Sequence, residues 1–341
     1  ASTRHPNIAG PAGWLSVCPV SQQHAFADHI LMDTAFRPAE AADIRPAFAM
    51  FRRAIYAHLH RTGLATAVEA ADPPIDSAWL RQGDWINHFW TTAAENWVAT
   101  NATGSVIGWA LSVERDRHLE LAFFFVDPDC AAHGVGKRLL DLAFASRSET
   151  QRTIMATLDP AALSLYLRTG LGLVTTSFDI CVQGQARPLP PGLDLRPIRP
   201  DPADIQVICD IEAEVLHLRR PVDIAFLTGN RPGWIAWRNG KPIGYAFGAQ
   251  PLAEDATDFS PSIGPAAALD DADLPGLLDC IINAAALDTP LYFGVPMANQ
   301  RAIDHLLRLG GKIDPFYIAV LSTSTALRLD RYIHTEPSFI I

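Results

Sequence analysis

One segment in the first half of the chain restricts its fold more than any other feature. The apolar stretch Leu119 to Val126 has the composition of a β-strand, and a short turn leads from it into Gly134-Val-Gly136 and an amphipathic helix. A helix N-terminus carries backbone N–H groups that have no acceptor within the helix, and glycines let an anion approach the backbone closely. The segment therefore predicts a phosphate-binding turn between a strand and a helix.

This turn is neither of two common phosphate loops. A Walker loop needs G-x-x-x-x-G-K-[ST], and a dinucleotide fingerprint needs a third glycine and an acidic residue about 20 positions later. Instead, the turn resembles the pyrophosphate loop of the GNAT superfamily of acyl-CoA-dependent N-acetyltransferases. That family has V-x-P, several residues and then [QR]-x-x-G-x-[GA]. Val126, Pro128, Gly134 and Gly136 match this pattern, and Ala131 departs from it at the [QR] position.

A second motif supports the resemblance. In the family, the strand after the G-x-G helix leads into N-x-x-A-x-x-x-Y-x-x-x-G-[FL]. The stretch that begins at Asp159 has aspartate in place of the asparagine, and it matches the pattern at Ala162, Tyr166, Gly170 and Leu171. Two motifs in the expected order therefore point to the same family.

The pattern of the first half recurs in the second. Residues 97–111 and 233–247 both contain a strand, a turn with glycine and a strand with Ile-Gly-aromatic-Ala. A repeat length of about 150 residues indicates two copies of one fold in tandem. In the second copy, Leu306 replaces the tyrosine of the second motif.

The second copy also lacks the phosphate-binding turn. Residues 262–275 contain no G-x-G and carry three aspartates, which would repel a pyrophosphate. We therefore expect a mixed α/β (α+β) fold of two GNAT-like lobes, each a mostly antiparallel sheet flanked by helices. A proline-rich, polar linker at residues 184–192 separates the two lobes. The predicted segments are an N-terminal extension 1–32, a lobe with the acyl-CoA site 33–183, a linker 184–192, a degenerate lobe 193–323 and a C-terminal tail 324–341.

The composition excludes several classes of function. The chain has 341 residues and a net charge of −10, which argues against nucleic acid and anionic membranes as main partners. An amine acceptor would suit this charge, although solubility alone also explains it. The five cysteines form no C-x-x-C pair, so neither a disulfide framework nor a zinc site is indicated. With no signal-peptide pattern and no apolar stretch long enough to span a bilayer, we expect a cytoplasmic monomer or homodimer.

The resemblance implies acetyl-CoA, or another acyl-CoA, as the cofactor. Its pantetheine would add to the edge of the strand around Phe124 and Val126, and its pyrophosphate would lie on the N–H groups of residues 133–138. An exposed helix face explains Lys137 and Arg138 equally well. The expected cofactor-binding residues are Phe124, Val126, His133, Gly134, Val135, Gly136, Lys137, Arg138 and Asp159.

The implied reaction is direct attack of a small-molecule primary amine on the thioester. Tyr166 stands at the family's position for the residue that protonates the departing thiolate, although a tyrosine simply packed on its helix fits the same position. Glu120 is the leading candidate for the base, because a carboxylate on a buried strand needs a partner or a role. Asp116 and His118 at the start of the strand are alternatives.

Two other classes of function stay open. A GNAT-like fold also suits decarboxylation or hydrolysis of an acyl-CoA, and it suits an acyl-CoA-binding protein without catalysis. Ala131 and Asp159 favour the non-catalytic class, whereas Tyr166 and the intact G-x-G favour an enzyme. The aromatic residues between 79 and 97 lie where the family builds its acceptor wall, but their helical spacing is typical of a core. They are Trp79, Trp85, Phe89, Trp90 and Trp97.

Overall fold

The first half of the chain forms strands and helices in the order that its pattern predicts. The structure, a computed structural model, describes residues 33–64, 75–131, 133–145, 150–249, 263–285 and 289–335. The predicted extension 1–32 lies outside them. The elements of the first half are β1 Ala35–Pro38, α1 Ile44–Arg61, α2 Ile75–Thr92, β2 Ala93–Thr100, β3 Val106–Arg115, β4 His118–Val126, α3 Val135–Ala143, β5 Gln151–Thr157, α4 Pro160–Leu167 and β6 Gly172–Gln183.

The second half repeats this order of elements. Both halves run strand, two helices, three strands, helix, strand, helix, strand, so the predicted mixed α/β fold of two GNAT-like lobes is confirmed. The second half ends with one additional short strand. Its elements are β7 Asp194–Pro197, α5 Pro202–Val215, α6 Pro221–Asn230, β8 Gly233–Arg238, β9 Lys241–Phe247, β10 Ala266–Ala268, α7 Leu274–Ala284, β11 Pro290–Pro296, α8 Gln300–Arg308, β12 Lys312–Ser322 and β13 Tyr332–Ile333.

One boundary differs from the sequence pattern, which predicts a helix over residues 77–95 and a strand that begins at Trp97. In the structure α2 ends at Thr92, and β2 begins at once with Ala93. Ala93 pairs with Val113 of β3, so the sheet determines the backbone at this position rather than the helix. Helix ends are the least certain part of such a prediction, because the periodicity fades there.

The two halves interleave within one sheet. The eight-stranded sheet has the order β1-β2-β3-β4-β5-β12-β6-β11, and the five-stranded sheet has the order β13-β10-β9-β8-β7. Strand β12 of the second half thus lies between β5 and β6 of the first, and β6 pairs with β11. The predicted bounds 33–183 and 193–323 therefore do not divide the strands into two separate sheets, and the bounds themselves stay a prediction.

Strands β4 and β5 separate soon after they begin. They pair in parallel at His118 with Gln151, Leu119 with Arg152 and Glu120 with Thr153, and at no later position among the described residues. A bulge in β4 between Leu121 and Phe123, opposite Leu111 and Ser112 of β3, increases the local twist. The bulge and the separation open a gap between the two strands.

Aromatic side chains fill the core between the two halves. Trp85 of α2 stacks on Phe89 at 5.4 Å and lies edge-on against Phe226 of α6 at 4.8 Å. Trp109 of β3 stacks on Phe123 of β4 at 4.4 Å. Such offset and edge-on pairs stabilise a core beyond the area that they bury.

A buried ion pair also joins the halves. Asp223 of α6 accepts hydrogen bonds from Arg115 Nε at 2.6 Å and contacts His88 Nε2 at 2.6 Å. Burial opposes the ionisation of Asp223, but the bonds with His88 and Arg115 outweigh it and hold the pKa of the carboxyl below its ordinary value. Asp223 is therefore a carboxylate at neutral pH, and it holds α2 and β3 of the first half against α6 of the second.

Candidate functional site

The gap between β4 and β5 continues into a cleft with a volume of about 470 Å³. Four structural units form its walls: one face of α1, the end of β4, the turn into α3, and the end of β5 with α4. Its lining residues include Ala54, Ile55, His58 and Arg61 from α1, Phe124, Phe125 and Val126 from β4, Ala131, Gly134, Gly136 and Lys137 from the turn and α3, and Thr157, Asp159, Leu165, Tyr166 and Arg168 from β5 and α4.

The G-x-G turn forms part of the wall of the cleft. Gly134 precedes α3 with φ 82° and ψ −9°, a left-handed conformation that strains any residue with a Cβ. A Cβ on Gly136 would lie 3.4 Å from Phe124 Cζ, so glycine keeps this wall of the cleft open. No side chain caps α3 at its N-terminus, which leaves the first-turn N–H groups available to an anion.

The predicted cofactor-binding residues divide into two groups. Phe124, Val126, Gly134, Gly136, Lys137 and Asp159 line the cleft, whereas His133, Val135 and Arg138 do not. The side chain of Val135 is buried in the core beneath α3, so only its backbone N–H could face a phosphate. Lys137 forms an ion pair with Asp141 at 2.7 Å, and both side chains are exposed. Positive charge in the lining comes from Lys137, Arg61 and Arg168.

Tyr166 also lines the cleft. Its ring lies edge-on against Phe124 at 5.6 Å, and the residue is 4% exposed. Burial raises the pKa of the phenol above its ordinary value, and the charge of Asp159 acts in the same direction. Tyr166 therefore keeps its proton at neutral pH, as a proton donor must.

Asp159 connects the two sides of the cleft. Its Oδ1 accepts hydrogen bonds from the N–H groups of Ala161 and Ala162, both at 3.0 Å, and so caps α4. Its Oδ2 accepts a hydrogen bond from Arg61 of α1 at 2.8 Å. The aspartate at the family's asparagine position therefore retains the helix cap and adds a charged link to α1.

The structure does not bring Glu120 to the cleft. Glu120 lies in the part of β4 that is still paired with β5, is 1% exposed and is absent from the lining. His118 is likewise buried, and burial, with the charge of Arg220, lowers its pKa to about 4. Asp116 lies in the turn before β4, where it accepts a hydrogen bond from the backbone of Arg219. The cleft therefore needs a different candidate for the base.

The sequence reasoning missed the contribution of α1. Ala54, Ile55, His58 and Arg61 lie on one helical face, at spacings of one, four and seven residues. That face carries two polar side chains on a helix whose buried apolar residues, such as Phe48 and Met50, enter the core, and this is the signal that could have been found. The predicted aromatic residues of the acceptor wall, by contrast, do not line the cleft within the described residues.

The equivalent gap in the second half is filled by the chain itself. Strand β13 pairs with β10 through Ala266 with Ile333 and Ala267 with Tyr332. The next residue, His334, forms a bridge with Gly294 of β11. A Cβ on Gly294 would lie 2.1 Å from His334 Cε1, which shows how closely this segment is packed. The C-terminal segment therefore lies where the first half has its open gap.

The sequence and the fold were compared with known proteins. Residues 64–171 match the model of the Acetyltransferase (GNAT) family. A structure from Pyrococcus horikoshii that is named as an acetyltransferase has a TM-score of 0.63 at 12% identity, covering 88% of this chain and 93% of its own. No curated protein sequence matches the chain, and no helix among the described residues is long and apolar enough to cross a bilayer.

Two further structures are similar. A GCN5-related N-acetyltransferase from Sphaerobacter thermophilus has a TM-score of 0.57 at 13% identity, covering 85% of this chain and 95% of its own. One from Anabaena variabilis has a TM-score of 0.52 at 13% identity, covering 85% and 72%. At these identities the likeness shows a shared fold, and the family match shows which fold it is. The chain therefore contains a domain of the GNAT acetyltransferase family at residues 64–171.

Proposed function

We propose that the first half is an acyl-CoA-dependent N-acyltransferase that moves an acetyl group from acetyl-CoA to a small-molecule amine. One observation carries the proposal: the G-x-G turn and Tyr166 line the same cleft. An uncapped helix N-terminus can bind a pyrophosphate, and a protonated phenol can donate a proton to a departing thiolate. The match of residues 64–171 to the GNAT family supports the same reaction class.

Each part of the acetyl-CoA molecule can be assigned to one part of the cleft. The amide groups of a pantetheine can bond to the backbone at the unpaired edge of β4 near Phe124 and Val126. The pyrophosphate would lie on the first-turn N–H groups of α3, with Lys137 contributing positive charge. This arrangement would hold the thioester near the bulge of β4, on the side of Tyr166.

The chemistry needs two proton transfers. The neutral amine attacks the thioester carbon, a C–N bond forms and the C–S bond breaks. The nitrogen must lose one proton, and the thiolate must gain one. Tyr166 supplies the proton to sulfur, because its buried phenol stays protonated at neutral pH. A positioned acid or base of this kind contributes about 10²- to 10⁴-fold to a rate.

Acyl-CoA binding can be tested by thermal denaturation with acetyl-CoA, longer acyl-CoAs and free CoA. A ligand at about 100 times its Kd stabilises the folded state by about 2.7 kcal/mol, so the wild-type melting temperature should rise. Gly134→Asp should abolish the rise, because it adds a charge and a strained φ to the turn. Gly310→Asp is the matched control, since Gly310 also has φ 82° but lies in a turn of the second half with open space around it.

Thiol release in the presence and absence of amines then separates the reaction classes. Release that depends on an added amine supports the N-acyltransferase. Release without an amine would replace it by acyl-CoA hydrolysis or decarboxylation. Binding without any release would leave an acyl-CoA-binding protein. If no CoA compound shifts the melting temperature, the proposed function is wrong.

A further inference from the structure

A histidine, an arginine and an aspartate meet at the wall of the cleft. His58 of α1 is 8% exposed and lines the cleft. Its Nδ1 lies 3.8 Å from Oδ2 of Asp159. Arg61, one turn further along α1, donates to the same Oδ2 at 2.8 Å and lies 3.4 Å from His58 Nδ1. The three side chains therefore share one point of contact between α1 and the start of α4.

The carboxylate in this group has a fixed position. Oδ1 of Asp159 is held by the N–H groups of Ala161 and Ala162 at the start of α4. Its Oδ2 is the oxygen that faces α1, with Arg61 and His58 around it. At 3.8 Å from Nδ1 this carboxylate acts on the imidazole through its charge, which favours the protonated form.

We propose that His58 accepts the proton that the acceptor amine loses, and that the charge of Asp159 stabilises the imidazolium that forms. This inference rests on the acyl transfer proposed above. His58 is the histidine that lines the cleft within the described part of the chain, and it shares that cleft with Tyr166. The cleft thus offers a proton acceptor on α1 and a proton donor on α4.

The surroundings of His58 favour its neutral form. Arg61 faces it from α1 and Asp159 from the cap of α4, while Tyr166, Lys137 and Arg168 line the rest of the cleft. Burial lowers the pKa of His58 below 6.5, Arg61 lowers it further, and Asp159 opposes both. At pH 7 the imidazole is therefore unprotonated and able to take a proton.

The proton balance closes over one turnover. The amine loses one proton to His58 as the C–N bond forms. The thiolate gains one proton from Tyr166 as the C–S bond breaks. Exchange with solvent then removes the proton from His58 and returns one to Tyr166. The sum is one amine and one thioester consumed, and one amide and one thiol formed.

The test compares His58→Gln with His60→Gln, an exposed histidine on the same helix. We expect His58→Gln to lower kcat by about 100-fold or more while free CoA shifts the melting temperature as in wild type. The wild-type rate should fall on acidification through a pKa below 6.5, and this fall should disappear in His58→Gln. His60→Gln should match wild type in both respects.

Two further variants separate chemistry from folding. Imidazole added to the buffer should restore part of the rate of His58→Ala, which a purely structural histidine would not allow. Asp159→Asn keeps a side-chain oxygen for the α4 cap, so it should melt near wild type but lose about 10-fold in kcat, because the imidazolium loses a nearby negative charge.

The outcomes distinguish this inference from the proposed function. A wild-type rate and an unchanged acid limb in His58→Gln would overturn the role of His58 and leave the N-acyltransferase standing. If His58→Gln does not fold, failure of imidazole to rescue His58→Ala would overturn it. If the wild-type protein releases no thiol with any amine, both the proposed function and the role of His58 are wrong.

Discussion

The two halves of the molecule share an order of elements but differ in what lies between their central strands. In the first half β4 and β5 separate after Glu120 and leave an open gap. In the second half β13 adds to β10, and His334 bridges to Gly294 of β11. The unpaired backbone N–H and C=O groups at a strand edge can form hydrogen bonds either with a ligand or with another segment of the chain. The comparison shows that such a gap can be closed by one added strand, with the shared order of elements unchanged.

The turns before the equivalent helices also differ. The start of α3 has a glycine turn without a side-chain cap. The start of α7 has three aspartates: Asp270 accepts a hydrogen bond from Ala272 N, Asp271 pairs with Arg301 at 3.3 Å, and Asp273 pairs with Arg238 at 2.7 Å. Three carboxylates at this turn would repel a phosphate. We therefore expect one acyl-CoA per chain, bound in the first half.

The same cap position serves opposite purposes in the two halves. Asp159 caps α4 and bonds to Arg61 across the open cleft. Asn299 caps α8 through Ala302 N, and its Nδ2 donates to the backbone oxygen of Tyr332 in β13 at 3.0 Å. One polar side chain thus holds a wall of the cleft in the first half and the filling segment in the second.

The largest expected effect is on stability, and it comes from the buried ion pair that joins the two halves. Asp223→Asn removes the carboxylate that pairs with Arg115 and His88, and it leaves a buried guanidinium without its counter-charge. We expect the free energy of unfolding to fall by about 3–5 kcal/mol, measured by urea denaturation at pH 7.

The acid dependence of the Asp223 pair provides a check. The pKa of Asp223 is lowered from 3.8, so its stabilisation is present above pH 3.8 and is lost as the pH falls through the lower, folded-state value. Asp210→Asn is a control, because the Asp210–Arg219 pair is exposed and such pairs contribute little. Equal stability of both variants would show that the buried pair does not join the halves.

Next in size is the loss of the proton donor. Tyr166→Phe keeps the ring against Phe124 but removes the phenol oxygen. We expect kcat to fall about 100-fold, equivalent to about 2.7 kcal/mol, with unchanged affinity for CoA. Tyr317→Phe, an exposed tyrosine of the second half, should keep the wild-type rate. An active Tyr166→Phe would mean that solvent protonates the thiolate.

The third prediction concerns the segment that fills the second gap. Burial lowers the pKa of His334 to about 4, although its bond to Thr335 O opposes this. The folded state therefore resists protonation, and stability should decline as the pH falls from 6.5 toward 4, by about 2 kcal/mol at pH 5 for this group.

His334→Gln should remove that part of the decline, as measured by denaturation at pH 7 and pH 5. Ser177 contacts His334 Nε2 at 2.6 Å, and glutamine retains a group able to bond there. The exposed His60→Gln should leave the decline unchanged. The same pH dependence in His334→Gln as in wild type would contradict a neutral, tightly held His334.

The smallest effect should come from Lys137. Its side chain is 70% exposed and already pairs with Asp141, so its loss should weaken CoA binding by less than about 1 kcal/mol. Titration calorimetry at two salt concentrations would measure this, and the difference should shrink at high salt. Lys312→Ala, an exposed lysine of the second half, should have no effect. A large loss for Lys137→Ala would indicate a direct phosphate contact.

Local features of the site were predictable from the sequence. Gly134 adopts the left-handed conformation that a G-x-G turn suggests, and Asp159 caps a helix with proline at its first position. The repeat of the strand pair around Gly108 and Gly244 also appears in both halves. Each of these depends on neighbouring residues only: backbone freedom at glycine, a side chain that bonds two residues on, and alternation along a strand.

The tertiary structure alone decided how distant segments meet. Arg61 bonds to a residue 98 positions away, and Arg115 to one 108 positions away. Strand β12 lies between β5 and β6, and β13 lies beside β10. The sequence pattern of a strand does not indicate which other strand it pairs with. Such pairings depend on which arrangement buries the most apolar surface and satisfies the most backbone groups over the whole chain. Sequence therefore determined the two GNAT-like copies and the phosphate turn, whereas the packing of the whole chain decided which gap stays open and placed His58 beside it.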